Sequence, residues 1–266
     1  MSLKLILSTG DLDINFKKMK RNSNKINQMI CFLWIALICG SCQSGDCPLS
    51  SGSQTLESRT LAAFNQIILN DKINLILTQD SIQKISIGGG NHLLAKIETT
   101  VLDSVLTIKN SNGCNWLRDP DYQINVYVSS NRLQKISYYG AGDISSSNTM
   151  LANQFTVDSW YGTGSVKLSL SSKSASAFVR NNNAVIILSG HADSSFIYCG
   201  QEGSVNMVDF ISGYVSVDSK SIEDIYVNVT GSLLADIVYK GNVYYRGSPA
   251  IIDTLITNSG RLIHIP

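Results

Sequence analysis

A repeat of about twenty residues runs through the second half of this 266-residue chain. One apolar position recurs at Ile136, Val157, Phe178, Ile197, Val217, Ile237 and Ile256, in steps of 19 to 21 residues. A second apolar column follows at Ile144, Val166, Val185, Val205, Ile225, Val243 and Leu262. Between the columns lies a turn, often with glycine: Gly142, Gly164, Gly203, Gly241 and Gly260. A fixed period in this range marks a solenoid or an array. Strand-sized apolar clusters without helical spacing make it a β-solenoid. The expected fold is all-β, a single-stranded β-helix with about twenty residues per coil and three sides. Propeller blades run about 40–50 residues, so two coils would have to form one blade, and the columns do not alternate that way. Strict hexapeptide repeats, the mark of left-handed β-helices, are absent.

Upstream of the repeat the texture changes. Met29 to Cys39 is an uncharged, mostly apolar run preceded by Lys17, Lys18, Lys20, Arg21 and Lys25. A basic flank, a short apolar core and small residues after it define a secretory signal. The run is shorter than the roughly 20 residues a spanning helix needs. Gly40-Ser41-Cys42 then resembles a bacterial lipobox, which implies cleavage before Cys42 and lipid on its thiol. An ordinary signal peptide cut nearby is the alternative. Asp11 and Asp13 do not suit a signal, and Met19 opens a better one, so translation is expected to begin there. The organisation expected is therefore a signal at 1–42, a Ser- and Gly-rich flexible tether at 43–60, and the solenoid at 61–266.

Net charge is +1 over the whole sequence. Residues 1–42 carry six of the 21 Lys and Arg and two of the 20 Asp and Glu, which leaves the mature chain near −3. Clustered Lys and Arg are missing after Cys42, so nucleic acid is not an expected partner. Cys47, Cys114 and Cys199 remain after the signal, an odd number without framework spacing. No cofactor and no metal site is expected.

Read together, Phe64 to Lys109, Tyr122-Gln-Ile-Asn-Val-Tyr-Val128 and Leu133-Gln-Lys-Ile-Ser-Tyr-Tyr-Gly-Ala-Gly-Asp-Ile144 resemble the head GIN domain family. Gly241-Asn-Val-Tyr-Tyr-Arg-Gly-Ser-Pro249 is similar to that family's closing motif. These are adhesin-type lipoproteins common in Bacteroidetes-like bacteria. The resemblance covers about 64–249 and implies a right-handed β-helix at the cell surface, with no catalytic set. The chain departs from the family where small residues usually precede the turn glycine. It carries Tyr138-Tyr139 and Trp160-Tyr161 there, and one turn is Asn181-Asn182-Asn183.

Carboxylate pairs for glycoside cleavage must lie about 5–9.5 Å apart. Asp143 and Asp224 share a column four coils apart, roughly 19 Å at the usual strand spacing. Glu202 and Glu223 are the best pair available, yet both fall in turns, where solvated carboxylates are ordinary. His92, His191 and His264 stand at no ligand spacing. Gly88-Gly89-Gly90 is expected to be a turn between strands, with no helix behind it to cradle phosphate.

The aromatics carry more. Tyr139 and Trp160 lie three residues after successive members of the first column, and Asn181 takes the same offset after Phe178. Tyr161 adjoins them and Tyr198 is near the same height. If exposed, Tyr139, Trp160, Tyr161, Asn181 and Tyr198 form a ladder able to stack on sugar rings; if buried, they are packing. The reading is a lipid-anchored, non-catalytic envelope protein, at the outer membrane or cell surface, that binds a glycan, polymer or surface protein. A structural scaffold and a carbohydrate-active β-helix enzyme are the alternatives. Homo-oligomerisation is compatible with the sequence but nothing in it specifies one.

Overall fold

The computed structural model describes residues 50–113 and 123–266. The signal, Cys42, Met19, residues 43–49 of the tether with Cys47, and Cys114 lie outside the described residues. The rest is all-β in class, 63% strand and 2% helix: a β-solenoid of about six turns spaced about 20 residues apart.

Six long or paired strands build the regular part: β10 (Met150–Ser159), β11 (Ser165–Val179), β12 (Val185–Gln201), β13 (Ser204–Ser221), β14 (Ile225–Ile237) and β16 (Ile251–Ile256). Each pairs in parallel with the coil before and the coil after, except β16, which pairs with β14 alone. A broad ladder stacks 154–159 on 174–179, 194–199, 214–219, 232–237 and 251–256. A second ladder continues from β9 (Ile144–Ser146) through Val166 and Ile186 to β15 (Val243–Arg246) and β17 (Leu262–His264). A short third run sets Met150–Ala152 on Leu170–Ser172 and Gly190–Ala192.

Alternation along each strand sends every second side chain inward. Val157, Ala177, Ile197, Val217 and Ala235 form one inner column, fully or almost fully buried. Each buried Val, Leu or Ile contributes roughly 1.5–3 kcal/mol. Phe155 packs against the small Ala175 of the next coil, so volume is shared between neighbours. The second column runs as expected from Ile144 to Leu262, except that Ile186 occupies the place expected of Val185, which points outward. The first column is corrected three times. Ala177, not Phe178, pairs with Val157; Ala235, not Ile237, pairs with Val217; and Thr254, not Ile256, follows Ala235.

The turns are tightened by contact between coils. A methyl group at Gly142 would overlap the carbonyl oxygen of Ile73 below it, and one at Gly241 would overlap that of Glu223. Glycine is needed there for close approach, not for an unusual φ.

The N-terminal coils do not wind in chain order. β2 (Gln66–Leu69) lies between β6 (Val105–Asn110) and β8 (Lys135–Tyr138), and β3 (Asn74–Thr78) lies between β7 (Asn125–Ser129) and β9. The coil that comes first in sequence is thus second in space. β1 (Gln54–Arg59), β4 (Lys84–Gly90) and β5 (Ile97–Leu102) close this end with antiparallel pairing. Two expectations change here. Residues 54–59, assigned to the tether, are a strand bound to β4 along its whole length. Gly88-Gly89-Gly90 is not a turn but the end of β4, and a one-turn helix α1 (Asn91–Leu94) follows it. The absence of side chains at these glycines leaves room for Leu56 and Leu94.

Candidate functional site

The outward columns of the broad ladder follow from its register. Trp160 is followed one coil later by Arg180. One position along, Asp158, Phe178, Tyr198 and Asp218 stack in consecutive coils. Next come Thr156, Ser176, Phe196 and Ser216, and then Gln154, Ser174, Ser194 and Tyr214. The aromatics therefore form a diagonal band: Tyr139 and Tyr161, Trp160, Phe178, Tyr198, Phe196, Tyr214. It crosses four strand spacings, about 19 Å along the solenoid. Tyr139 and Tyr161 are 37% and 61% exposed, Phe196 and Tyr214 40% and 37%, and the three between are half-buried. Ring centres of Tyr139 and Tyr161 are 6.2 Å apart, those of Phe196 and Tyr214 6.0 Å, both tilted.

Ion pairs fix the middle of the band. Asp158 is almost wholly buried, accepts from Arg180 Nε at 2.7 Å, and lies 3.7 Å from Lys135 Nζ. The same guanidinium lies 4.5 Å from the Trp160 ring centre and 5.4 Å from that of Phe178, a cation–π arrangement. Lys220 repeats the device, donating to Asp218 at 3.0 Å with its ammonium 5.3 Å from the Tyr198 ring centre. The hydrogen bond to Asp218, and the attraction of its charge, hold the Lys220 ammonium above its ordinary pKa. Rings so restrained lose little entropy on meeting a ligand.

Four of the five expected residues lie in this band. Tyr139, Trp160 and Tyr161 come together, and Tyr198 joins one outward column away. Asn181 does not. The register places Arg180 beside Trp160, and Asn181 sits exposed in the following turn. Its neighbour Asn182 shapes that turn, donating to Ser159 O at 3.0 Å and accepting from Ala184 N–H at 2.9 Å. Tyr138 points the other way. It is fully buried, its hydroxyl donates to Gly142 O and accepts from Gly164 N–H, and burial raises its pKa. Phe196 and Tyr214 belong to the band and stand in neither repeat column, and Phe178, counted in the first apolar column, faces outward with them. Alternation from the inner residues Ala177, Ile197 and Val217 places them outward.

The carboxylates noted for catalysis have other uses. Asp143 Oδ1 accepts from the N–H and hydroxyl of Ser165 on the next coil, at 2.9 and 2.8 Å. Asp224 Oδ1 accepts from Asn242 N–H at 2.8 Å, and Asn242 Oδ1 from Arg261 N–H at 3.1 Å. Asn74 Oδ1 accepts from Asp143 N–H at 3.0 Å. This column ties coil to coil. Glu202 and Glu223 are exposed and stand one position out of register, since Gln201 pairs with Ser221. Among the described residues no three His, Cys, Asp or Glu are grouped to hold a metal ion.

A solved putative adhesin from Bacteroides fragilis has the same fold, with a TM-score of 0.73, 20% identity, and coverage of 80% of this chain and 97% of that one. A putative adhesin from Parabacteroides distasonis superposes with a TM-score of 0.61 at 18% identity, covering 80% and 98%. A putative lipid binding protein from the same organism gives 0.57 at 16%, covering 81% and 98%. No match is found among curated proteins. The family model described as "Putative auto-transporter adhesin, head GIN domain" matches residues 63–249. The chain belongs to the head GIN domain family. The matched span begins in the N-terminal coils and runs past β15, so it contains the whole aromatic band. The head GIN fold here adds β1 before that span, and β16 and β17 after it.

Proposed function

We propose that this head GIN protein is a non-catalytic adhesion module that binds an extended glycan across the aromatic band of its broad ladder. The band carries the reading: seven aromatic side chains lie along one outward face, and Arg180 and Lys220 restrain the three in its middle. Aromatic faces offer apolar area for sugar rings, and nearby polar atoms orient the hydroxyls. The family's adhesin description supports a cell-surface role, and the lipobox supports anchoring through Cys42.

Two experiments test this. Phe196→Ala with Tyr214→Ala, and Tyr139→Ala with Tyr161→Ala, should each abolish retention on a glycan array while lowering the melting temperature little, because these rings are substantially exposed. Retained binding in both pairs removes the aromatic band from the mechanism. Metabolic labelling with a fatty-acid analogue should tag the protein, and Cys42→Ala should lose the tag; an unchanged tag in that variant removes the anchor.

A further inference from the structure

A second concave surface lies apart from the aromatic band. The corner residues Asn153, Lys173 and Asp193 of three coils face the segment around Asn131 and Arg132, and between them is a groove of about 870 Å³. Small-ligand sites commonly enclose roughly 300–1,000 Å³. Its charged side chains and two of its amides are unspent, while Gln134 Oε1 accepts from Asn65 Nδ2 at 3.4 Å. Arg132 and Lys173 take part in no ion pair among the described residues. Asn131, Asn153 and Asp193 spend no side-chain atom on an internal hydrogen bond among those residues, and His191 Nε2 meets only Ser171 Oγ, at 3.1 Å.

Two cations face one carboxylate, so the groove favours an anionic ligand. Amides and a carboxylate beside them supply donors and acceptors for hydroxyl groups. A lipid chain would leave these polar groups unsatisfied. Two cations are also few for a nucleic-acid backbone, whose binding rests on many neutralised phosphates. We infer that the groove is a second binding site, for a short acidic saccharide. Its carboxylates meet Arg132 and Lys173, and its hydroxyls meet Asn131, Asn153 and Asp193. The inference does not depend on the aromatic band, since no residue is shared.

Calorimetric titration with trigalacturonate, and with maltotriose as the neutral counterpart, tests it on the purified protein. Trigalacturonate should bind, more weakly at higher salt, and maltotriose should bind far less. Arg132→Gln with Lys173→Gln should weaken trigalacturonate about tenfold or more, the loss of two charge-assisted contacts. Both side chains are exposed, so the fold should survive. Repeating each titration in a Phe196→Ala, Tyr214→Ala background takes sugar stacking on the aromatic band out of the signal, so that what remains reports the groove. The inference is overturned if the unaltered protein does not bind trigalacturonate, if maltotriose binds equally well, or if the Gln double variant binds as tightly as the original.

Discussion

Arg180 holds its guanidinium 4.5 Å from the centre of the Trp160 ring. The ring's coil also supplies Asp158, the carboxylate that Arg180 neutralises. One cation thus satisfies a buried charge and steadies two aromatics of the adjoining coils.

Arg180→Ala should therefore act on both stability and binding. Asp158 would keep only Lys135, at 3.7 Å. Removing one partner of a buried pair can cost about 3–5 kcal/mol. The Arg180 side chain is one-third exposed, which reduces the expected loss to about 1–3 kcal/mol after solvent screening. Urea unfolding measures it. A double variant that also carries Asp158→Asn should recover part of the loss, because the orphaned charge is gone.

Gly142→Ala and Gly241→Ala should each destabilise by about 1–3 kcal/mol or more, as overpacking does. The added methyl would meet backbone carbonyls of the coil below, which cannot rotate away. Gly113→Ala is the comparison, since a methyl there meets nothing within 4 Å. Equal melting temperatures for all three would contradict the close approach of the coils.

Acid should weaken the solenoid partly through Asp143. Hydrogen bonds from the Ser165 N–H and hydroxyl hold its carboxyl below the ordinary carboxylate range, with Lys167 adding to the effect. A depressed folded pKa gives stability that is full above the unfolded value, about 4, and is lost as pH falls through the folded one. Asp143→Asn should flatten the fall of the urea midpoint below about pH 4. Identical acid slopes in the two proteins would sever this link.

Cys199 should resist alkylation until the chain unfolds. It is fully buried in the strand β12, and burial pushes its thiol up to about 12. The thiolate is the reactive form, so labelling by iodoacetamide at neutral pH should track global opening. The rate should rise through the urea transition and stay flat before it.

Much of the fold was legible because apolar residues mark the inside when their outward neighbours are polar. The second column satisfies that condition and is right everywhere except Val185. The first column fails where the outer surface is itself apolar. Phe178 outweighs the small inward Ala177, so the count slipped by one and carried Asn181 into the place of Arg180. Ile237 displaced Ala235 for a related reason: the coil from β13 to β14 is shortened, with two breaks in register. The aromatic band was therefore half visible. Tyr139 and Trp160 stand out against the family pattern, whereas Phe196 and Tyr214 acquire meaning only once the register is known. The order of the N-terminal coils leaves no trace in periodicity, because period records how far apart strands lie and not which strand each one joins.

That order has a temporal consequence. A simple solenoid can add coils as its chain emerges, each new rung settling on the last. Here β2 and β3 must wait for partners on both sides, supplied by residues up to Ser146. Closing such distant pairings early is entropically slow. The N-terminal two-fifths or so of the domain therefore assembles as one event, and the later coils have no finished platform to grow from until roughly half the chain has arrived.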